Sequence, residues 1–481
     1  MNSSGTLTTS RHNTPRGTEP AIDGTLRPRR VLLVSYHFPP STAIGALRWE
    51  KLAHALAGRG YAVDVLSLNP SQLERRDNAR VDALPANVRI FGVTHRIPVL
   101  EWAWNRLAAL TKDMRRASAQ GHVSSAPPSP TETAATVVGG RSSLMGNIRR
   151  MVNARLHVAN ELSWARAAAQ KGINMATTDR YDAVITSGPP HYVHVAGRLI
   201  HERTGIPHIA DFRDPWRLAE SVARDMSATT LQALADRYET GVVAKANKVI
   251  MNTETAARSM RGRYPNFAGK IAAIMNGSDP EDRVESPPRD RFTLLYAGTL
   301  YLQRDPRVVF QACAPLVAEL GLTPSQFGVD FLGPSDVYNG QRVLDVAAEY
   351  GLRDHVRMGG LLPRRTALER AALATHLVCL PDGQRLTIQA KLFEYVQLDC
   401  WLLVFAEPDS AMAAALEGTD ADVVAPSDVQ RAAALVRNRW FQFATGKRPT
   451  AIGNDGRFLR STQAEHLCAL LDALPTQRDR Q

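Results

Sequence analysis

Cysteine is scarce in this chain: four residues in 481 (Cys313, Cys379, Cys400, Cys468), widely separated, with no Cys-x-x-Cys pair and no histidine cluster beside them. That spacing argues against a structural zinc site or a disulfide framework and fits a reducing compartment. No apolar run approaches the roughly 18 residues of a membrane-spanning helix, and the N-terminus lacks the apolar core of a secretory signal. No short-period repeat is visible. No Asp-x-Asp string follows a strand in the manner of a metal-bound diphosphate site. Asp420-Ala421-Asp422 has the spacing but lies in a polar turn, so no metal dependence is expected. A dense basic face interleaved with aromatics, the mark of nucleic-acid binding, is also missing. The net charge of +11 is carried largely by dispersed arginine. Such diffuse charge is a solvated surface, or it favours an anionic small substrate or an anionic membrane surface.

What is present is ordinary globular material. Apolar residues make up 44% and charged residues 22%, and the length exceeds one hydrophobic core, which points to two domains. The most informative stretch is 30–69. A hydrophobic strand over 31–36 runs into the loop His37-Phe38-Pro39-Pro40-Ser41-Thr42-Ala43-Ile44-Gly45, then a helix over 46–58 and a strand over 62–68. That is a βαβ unit of a parallel sheet, and ligands bind such sheets at the carboxyl ends of the strands. The pattern recurs. Strands are expected over 181–187, 207–212, 248–252 and 271–275, with helices over 147–176 and 192–204 between the earlier ones. After Pro280 to Arg291, a breaker-rich stretch that reads as a hinge, the same pattern restarts. Strands fall over 292–298, 328–333, 355–358, 375–381 and 401–405. Helices fall over 306–319, 342–350, 364–372 and 388–398. The polar stretches 1–28 and 117–143 lack periodicity and read as a disordered tail and a flexible insertion. The expected fold is therefore α/β: two Rossmann-like, doubly wound domains over 29–280 and 292–455 facing a central cleft, joined by a hinge over 281–291.

Four places carry a family resemblance: Tyr36-His37-Phe38-Pro39-Pro40 through Gly45-Ala46-Leu47-Arg48; Ser187-Gly188-Pro189-Pro190-His191 with Asp211-Phe212-Arg213-Asp214-Pro215-Trp216; Asn276-Gly277-Ser278-Asp279; and Lys391-Leu392-Phe393-Glu394-Tyr395. In this order and spacing the chain resembles a GT-B fold glycosyltransferase with a family-4-like N-terminal domain, of the group 1 type. The resemblance implies a nucleotide-sugar donor held mainly by the C-terminal domain and an acceptor held mainly by the N-terminal one. It also implies retention at the sugar, and a last helix over 456–475 packing back on the first domain. No cofactor beyond the donor itself is expected.

A departing diphosphate must be neutralised, by basic side chains and backbone N–H groups where no metal serves. Gly298 lets backbone approach a phosphate, and Arg304 and Lys391 are cations in strand-end loops, where the family places an Arg and a Lys on the diphosphate. The plain alternative for both is a surface ion pair. Gly45 and Arg48 belong to the first-domain loop that would face the same diphosphate; the alternative is an ordinary βα turn. Glu394 lies one helical turn from Lys391 and matches the family's glutamate on the ribose hydroxyls; the alternative is a helix-surface pair with Lys391. The family's second acid would fall at 386, where this chain has Leu386, so the sugar contact passes to Asp382, Gly383 or Gln384. Asp211, Arg213 and Asp214 form the densest charge cluster at a first-domain strand end. Asp211 or Asp214 is a candidate general base with its pKa set by the arginine, or the pair simply fixes the loop. His191, after Pro189-Pro190, is expected to line the cleft, and His194 to pack.

The expected function is transfer of a sugar, as a hexosyltransferase, to a glycan or lipid-linked acceptor in bacterial surface polysaccharide assembly. A nucleotide-sugar epimerase or hydrolase on the same fold is the main alternative, and a non-catalytic scaffold the weaker one. A cytoplasmic location is expected. The segment 100–116 has the helical spacing of Trp, Leu and Met beside Arg and Lys that would suit peripheral contact with the inner face of the membrane, or packing on the first domain.

Overall fold

The computed structural model describes residues 29–96, 144–216, 226–301 and 303–475. The tail expected over 1–28, the helix over 100–116 and the insertion over 117–143 lie outside these residues. The first sheet comprises β1 (Arg30–Ser35), β2 (Ala62–Leu68), β3 (Val88–Val93), β4 (Ala183–Gly188), β5 (His208–Phe212), β6 (Lys248–Met251) and β7 (Ile271–Ala273). They pair throughout in parallel in the order β3-β2-β1-β4-β5-β6-β7. Parallel strands cannot be joined by tight turns, so helices carry the chain back across the faces. These are α1 (Ile44–Gly58), α2 (Ala79–Asp82), α3 (Leu144–Thr178), α4 (Val193–Thr204), α5 (Met226–Lys245) and α6 (Glu254–Arg263). With both faces covered, β1 and β4 bury nearly every residue and read as continuous rather than alternating apolar runs.

The second sheet repeats the plan with β8 (Phe292–Ala297), β9 (Phe327–Leu332), β12 (Val356–Met358), β13 (His376–Cys379), β14 (Trp401–Phe405) and β15 (Asp422–Val424), in the order β12-β9-β8-β13-β14-β15. Its helices are α7 (Arg307–Leu320), α8 (Val343–Glu349), α9 (Arg364–Ala372), α10 (Leu392–Tyr395), α11 (Ala411–Leu416) and α12 (Val429–Ala444). A small antiparallel hairpin, β10 (Val337–Tyr338) with β11 (Gln341–Arg342), follows β9. In each sheet the strand order reverses beside the first strand, between β1 and β4 and between β8 and β13. Loops leaving those two strand ends diverge, which opens a crevice at the carboxyl edge of each sheet.

The chain crosses between lobes twice. The first crossing follows Asp279. The second brings α13 (Arg460–Asp472) back onto the first lobe, where Ala464, Leu467 and Leu471 join the core of Val31, Leu33, Trp49 and Leu52. The crossings meet: Ser278 N–H donates to Phe458 O at 2.8 Å and Arg460 N–H to Ser278 O at 2.9 Å. Among the described residues no helix is long and apolar enough to cross a membrane.

Several elements differ from the sequence reading. It places no strand at Val88–Val93, although this edge strand follows the turn Pro85-Ala86-Asn87. It also misses the hairpin and β15. The helix expected over 388–398 is regular only over Leu392–Tyr395. At its start Gln389 Nε2 donates to Leu380 O, and at its end Val396 O accepts from Gly453 N–H of the second crossing. A side chain at Gly453 would meet that carbonyl at 2.9 Å, so glycine lets the crossing cap the helix. The Asp420-Ala421-Asp422 string holds Arg439, which both carboxylates bind at 3.0 Å or less, above the Trp401 ring.

Candidate active site

The two crevices face each other across a cavity of about 660 Å³. The first lobe contributes the loop after β1 (Thr42), α1 (Gly45, Arg48), the loop after β5 (Arg213, Asp214) and the segment Asn276-Gly277-Ser278. The second contributes Arg364, Lys391, Phe393 and Glu394. Of the residues singled out from sequence, Gly45, Arg48, Arg213, Asp214, Lys391 and Glu394 line this cavity. Gly298, Arg304, Asp382, Gln384, Asp211 and His191 do not, and their positions sort them into two groups.

The first group is structural. Asp211 is fully buried and accepts four bonds: from Arg48 Nε at 3.2 Å and Nη2 at 3.0 Å, from Trp49 Nε1 at 2.7 Å and from Ser187 Oγ at 3.0 Å. No acceptor hydroxyl reaches a carboxylate enclosed in this way, so its expected role as general base is corrected to that of an anchor. Arg48 is corrected with it. Its remaining N–H groups donate to Ile274 O, Met275 O and Asn276 Oδ1, which leaves no fork for a diphosphate. A buried pair of this kind contributes little net stability when intact, but removing one partner strands the other charge. His191 is corrected too. Its ring stacks on Phe212 and Trp216, with centroids 6.2 and 5.6 Å apart, behind the cavity wall. Burial, with help from Arg213, pushes its pKa down to about 3, so the ring is neutral. His194 is fully buried, with Nδ1 2.8 Å from Thr186 Oγ1, and packs as expected.

Arg213 ties the strand ends together. Nε donates to Gly188 O at 2.9 Å, Nη1 to Gly45 O and Nη2 to Pro189 O, linking the start of α1 to the loops after β4 and β5. A Cβ at Gly45 would lie 2.6 Å from Nη1, so glycine at 45 makes room for the guanidinium. Asp214, beside it on the cavity wall, has its pKa raised by burial and partly restored by Arg213. Of the two aspartates it is the one that lines the cavity.

The second group surrounds Lys391. Its Nζ is buried, lies 3.6 Å from the centre of the Tyr296 ring and has no hydrogen-bond partner among the described residues. A Cβ at Gly298, whose φ is +151°, would sit 2.6 Å from that nitrogen, so only glycine leaves the amine its place. Burial pushes the pKa of Lys391 down to about 7, with Arg304 lowering it further and Cys379 opposing. Arg304 stacks on Tyr301 at 4.4 Å, and its Nε is also buried without a partner. Asp382 completes the charge cluster; burial raises its pKa, and it accepts the backbone N–H of Gln384. With Lys391 Nζ and Arg304 Nε buried without a hydrogen-bond partner beside the single carboxylate of Asp382, this strand end is short of negative charge. Glu394 points into the cavity, with one oxygen accepting from Arg364 Nε at 2.9 Å.

Leu386, at the position where the family's second acid would fall, packs against the first lobe's core of Val249, Met251 and Ala257, and its carbonyl accepts from Thr253 Oγ1 at 2.7 Å. The departure from the family pattern therefore coincides with a contact between lobes. Sequence reasoning passed over Tyr296, Asp282, Arg364 and Arg460. Tyr296 reads as an ordinary core strand residue and the arginines as surface charge, and no spacing signal marks them. Among the described residues no group of three or more His, Cys, Asp or Glu is placed to hold a metal ion.

Residues 45–277 match the glycosyl transferase 4-like domain family. No curated protein sequence matches the chain. In fold it is similar to sucrose-phosphate synthase from Thermosynechococcus elongatus, at a TM-score of 0.59 and 14% identity over 92% of this chain and 98% of that one. It is similar to Anabaena HepE in complex with UDP-glucose, at 0.54 and 14% over 92% and 100%. It is also similar to the UDP-forming α,α-trehalose-phosphate synthase from Burkholderia vietnamiensis, at 0.54 and 16% over 94% and 98%. At such identities the likeness is one of fold, and it spans both lobes. With a glycosyl transferase 4-like domain forming the first lobe and the paired-lobe architecture shared from end to end, the chain has the fold of the GT-B glycosyltransferases.

Proposed function

We propose that the enzyme moves a sugar from a nucleotide-sugar donor to a glycan or lipid-linked acceptor in surface polysaccharide assembly, with retention at the sugar and without a metal. The observation that carries this reading is the buried, unpartnered Nζ of Lys391 beside Glu394 in the cavity between lobes. The bond from the sugar to the diphosphate breaks as the acceptor oxygen bonds to the same carbon, and charge develops on the leaving diphosphate. Lys391 and Arg304 neutralise that charge from a preorganised, water-poor position. Glu394 accepts the ribose hydroxyls, the backbone at Gly298 admits a phosphate, and Asp382 with Gln384 borders the sugar. Asp214 faces the acceptor and is the remaining candidate to receive its proton. A uridine nucleotide is the first choice of donor, since HepE holds UDP-glucose and the trehalose-phosphate synthase forms UDP. A cytoplasmic location, peripheral to the inner face of the membrane, suits a lipid-linked acceptor.

The test is a thermal-shift and calorimetric screen of the purified chain against UDP-, GDP-, ADP- and CMP-sugars, followed by product analysis with and without acceptor. Binding of one donor and transfer only with acceptor are expected. Failure to bind or turn over any of them would sink the reading. Leu386 in place of an acid gives the epimerase or hydrolase alternative its footing, and a changed sugar in the absence of acceptor would favour it.

A further inference from the structure

One arginine of the cavity wall has no part in the reading above. Arg364 opens α9 directly after Pro363, and its guanidinium sits between two carboxylates. Nη1 and Nη2 donate to Asp282 Oδ1 and Oδ2 at 2.9 and 2.8 Å, while Nε donates to Glu394 Oε1 at 2.9 Å. All three residues line the cavity. Asp282 belongs to the first crossing between lobes, in the single turn Pro280–Asp282 that follows Asp279. Asp279 is itself held by Lys51 of α1 at 3.2 Å and by Arg460 of α13 at 2.9 Å. A run of ion pairs joined by one short turn therefore leads from a first-lobe helix to Glu394.

The geometry of that run matters more than its strength. The side chain of Arg364 is half exposed, and exposed ion pairs add about 1 kcal/mol or less to stability. A two-pronged bond to Asp282, however, fixes the plane of the guanidinium. Nε–H then addresses one oxygen of Glu394 and sets the rotation of its carboxylate. No donor among the described residues bonds Oε2, which is left for a ligand together with the second lone pair of Oε1. Two adjacent hydroxyls need both oxygens held at a fixed angle.

We infer that Arg364 is a positioning residue that orients Glu394 for the ribose diol and, through Asp282, ties that orientation to the crossing between lobes. The inference rests on the nucleotide-sugar reading of Glu394. Recognition of the ribose is then set partly by how the lobes sit, so opening them loosens the grip on the nucleotide.

The experiment measures dissociation constants of UDP, GDP and ADP, each beside its 2′-deoxy analogue, for the full chain and for Glu394→Gln, Arg364→Met, Arg364→Lys and Asp282→Asn. The wild type is expected to prefer the ribonucleotide by about tenfold, the worth of a hydrogen bond to a charged group. Glu394→Gln and Arg364→Met should bring that preference close to one. Arg364→Lys should keep only part of it, and Asp282→Asn should lower it without touching Glu394. A purely structural role for Arg364 would weaken both nucleotides equally and leave their ratio intact, and that outcome overturns the inference. If Glu394→Gln itself preserves the preference, the ribose role of Glu394 fails first. Should Arg364→Met not fold, Asp282→Asn and Arg364→Lys decide by the same ratio.

Discussion

Lys391 gives the sharpest quantitative test, because its state in the free protein is balanced near neutrality. Its amine is buried over Tyr296 with no hydrogen-bond partner among the described residues, and burial holds its pKa at about 7. A bound diphosphate supplies the missing negative charge and raises that value, so binding takes up a proton wherever the free amine is neutral. The affinity is therefore complete below the free-state pKa and falls as pH rises through it, until the pKa of the complex is passed. At pH 8 roughly a tenth of the free protein carries the ammonium. Restoring it costs about 1.4 kcal/mol, or a tenfold weaker Kd than at pH 6. The assay is calorimetric binding of UDP-glucose at constant ionic strength from pH 6 to 8.5; the diphosphate of a sugar nucleotide does not titrate in this range. Repeating it in buffers of different ionisation enthalpy should show proton uptake approaching one at pH 8. Lys391→Ala should bind weakly at all pH values and show no slope. A wild-type Kd that is flat with pH, or a slope that survives Lys391→Ala, would refute the assignment. The free protein carries the converse signature. The folded pKa lies below the unfolded one, so the unpaired ammonium destabilises the fold fully below about pH 7, and the penalty fades as pH climbs toward 10.5. Lys391→Met should raise the Tm of the free protein at neutral pH, by on the order of 2 kcal/mol of stability, and the gain should vanish near pH 10.5.

Gly298→Ala places a methyl 2.6 Å from Lys391 Nζ at a φ of +151°. Nucleotide affinity should fall by about tenfold, with a loss of roughly 1–3 kcal/mol in stability from backbone strain, read by calorimetry and chemical denaturation. Asp211→Asn leaves the Arg48 charge buried without its partner and should cost about 3–5 kcal/mol, whereas Asp214→Asn should lower kcat while leaving Tm nearly unchanged; equal Tm losses in the two variants would contradict their separate roles. Leu467→Ala in α13 removes a side chain that is 1% exposed in the first lobe's core, and urea unfolding should show a loss of about 2–5 kcal/mol.

Much of the architecture is legible in the residues themselves. Continuous apolar runs such as 31–34 and 401–405, short and separated by helical periodicity, read as parallel strands covered on both faces. Both sheets follow from them, and so does the placing of Gly45, Asp214, Lys391 and Glu394 in the loops and first helical turns that follow strand ends. Edge strands gave weaker signals. Val88–Val93 is half exposed, so its pattern lacks the unbroken apolar run of a central strand.

The sequence by itself therefore determined two α/β lobes and the candidate residues at their facing edges, because burial periodicity and turn chemistry act over a few neighbouring positions. It did not separate Asp211 from Asp214, three residues apart and chemically alike. That difference arises from Arg48, 163 residues away along the chain, which encloses one carboxylate and leaves the other on the cavity wall. Nor did it find Arg364, whose partners lie 82 and 30 residues away. Only the tertiary structure decides which charges meet, since ion pairing depends on distances that folding sets between remote segments, and no local pattern encodes them.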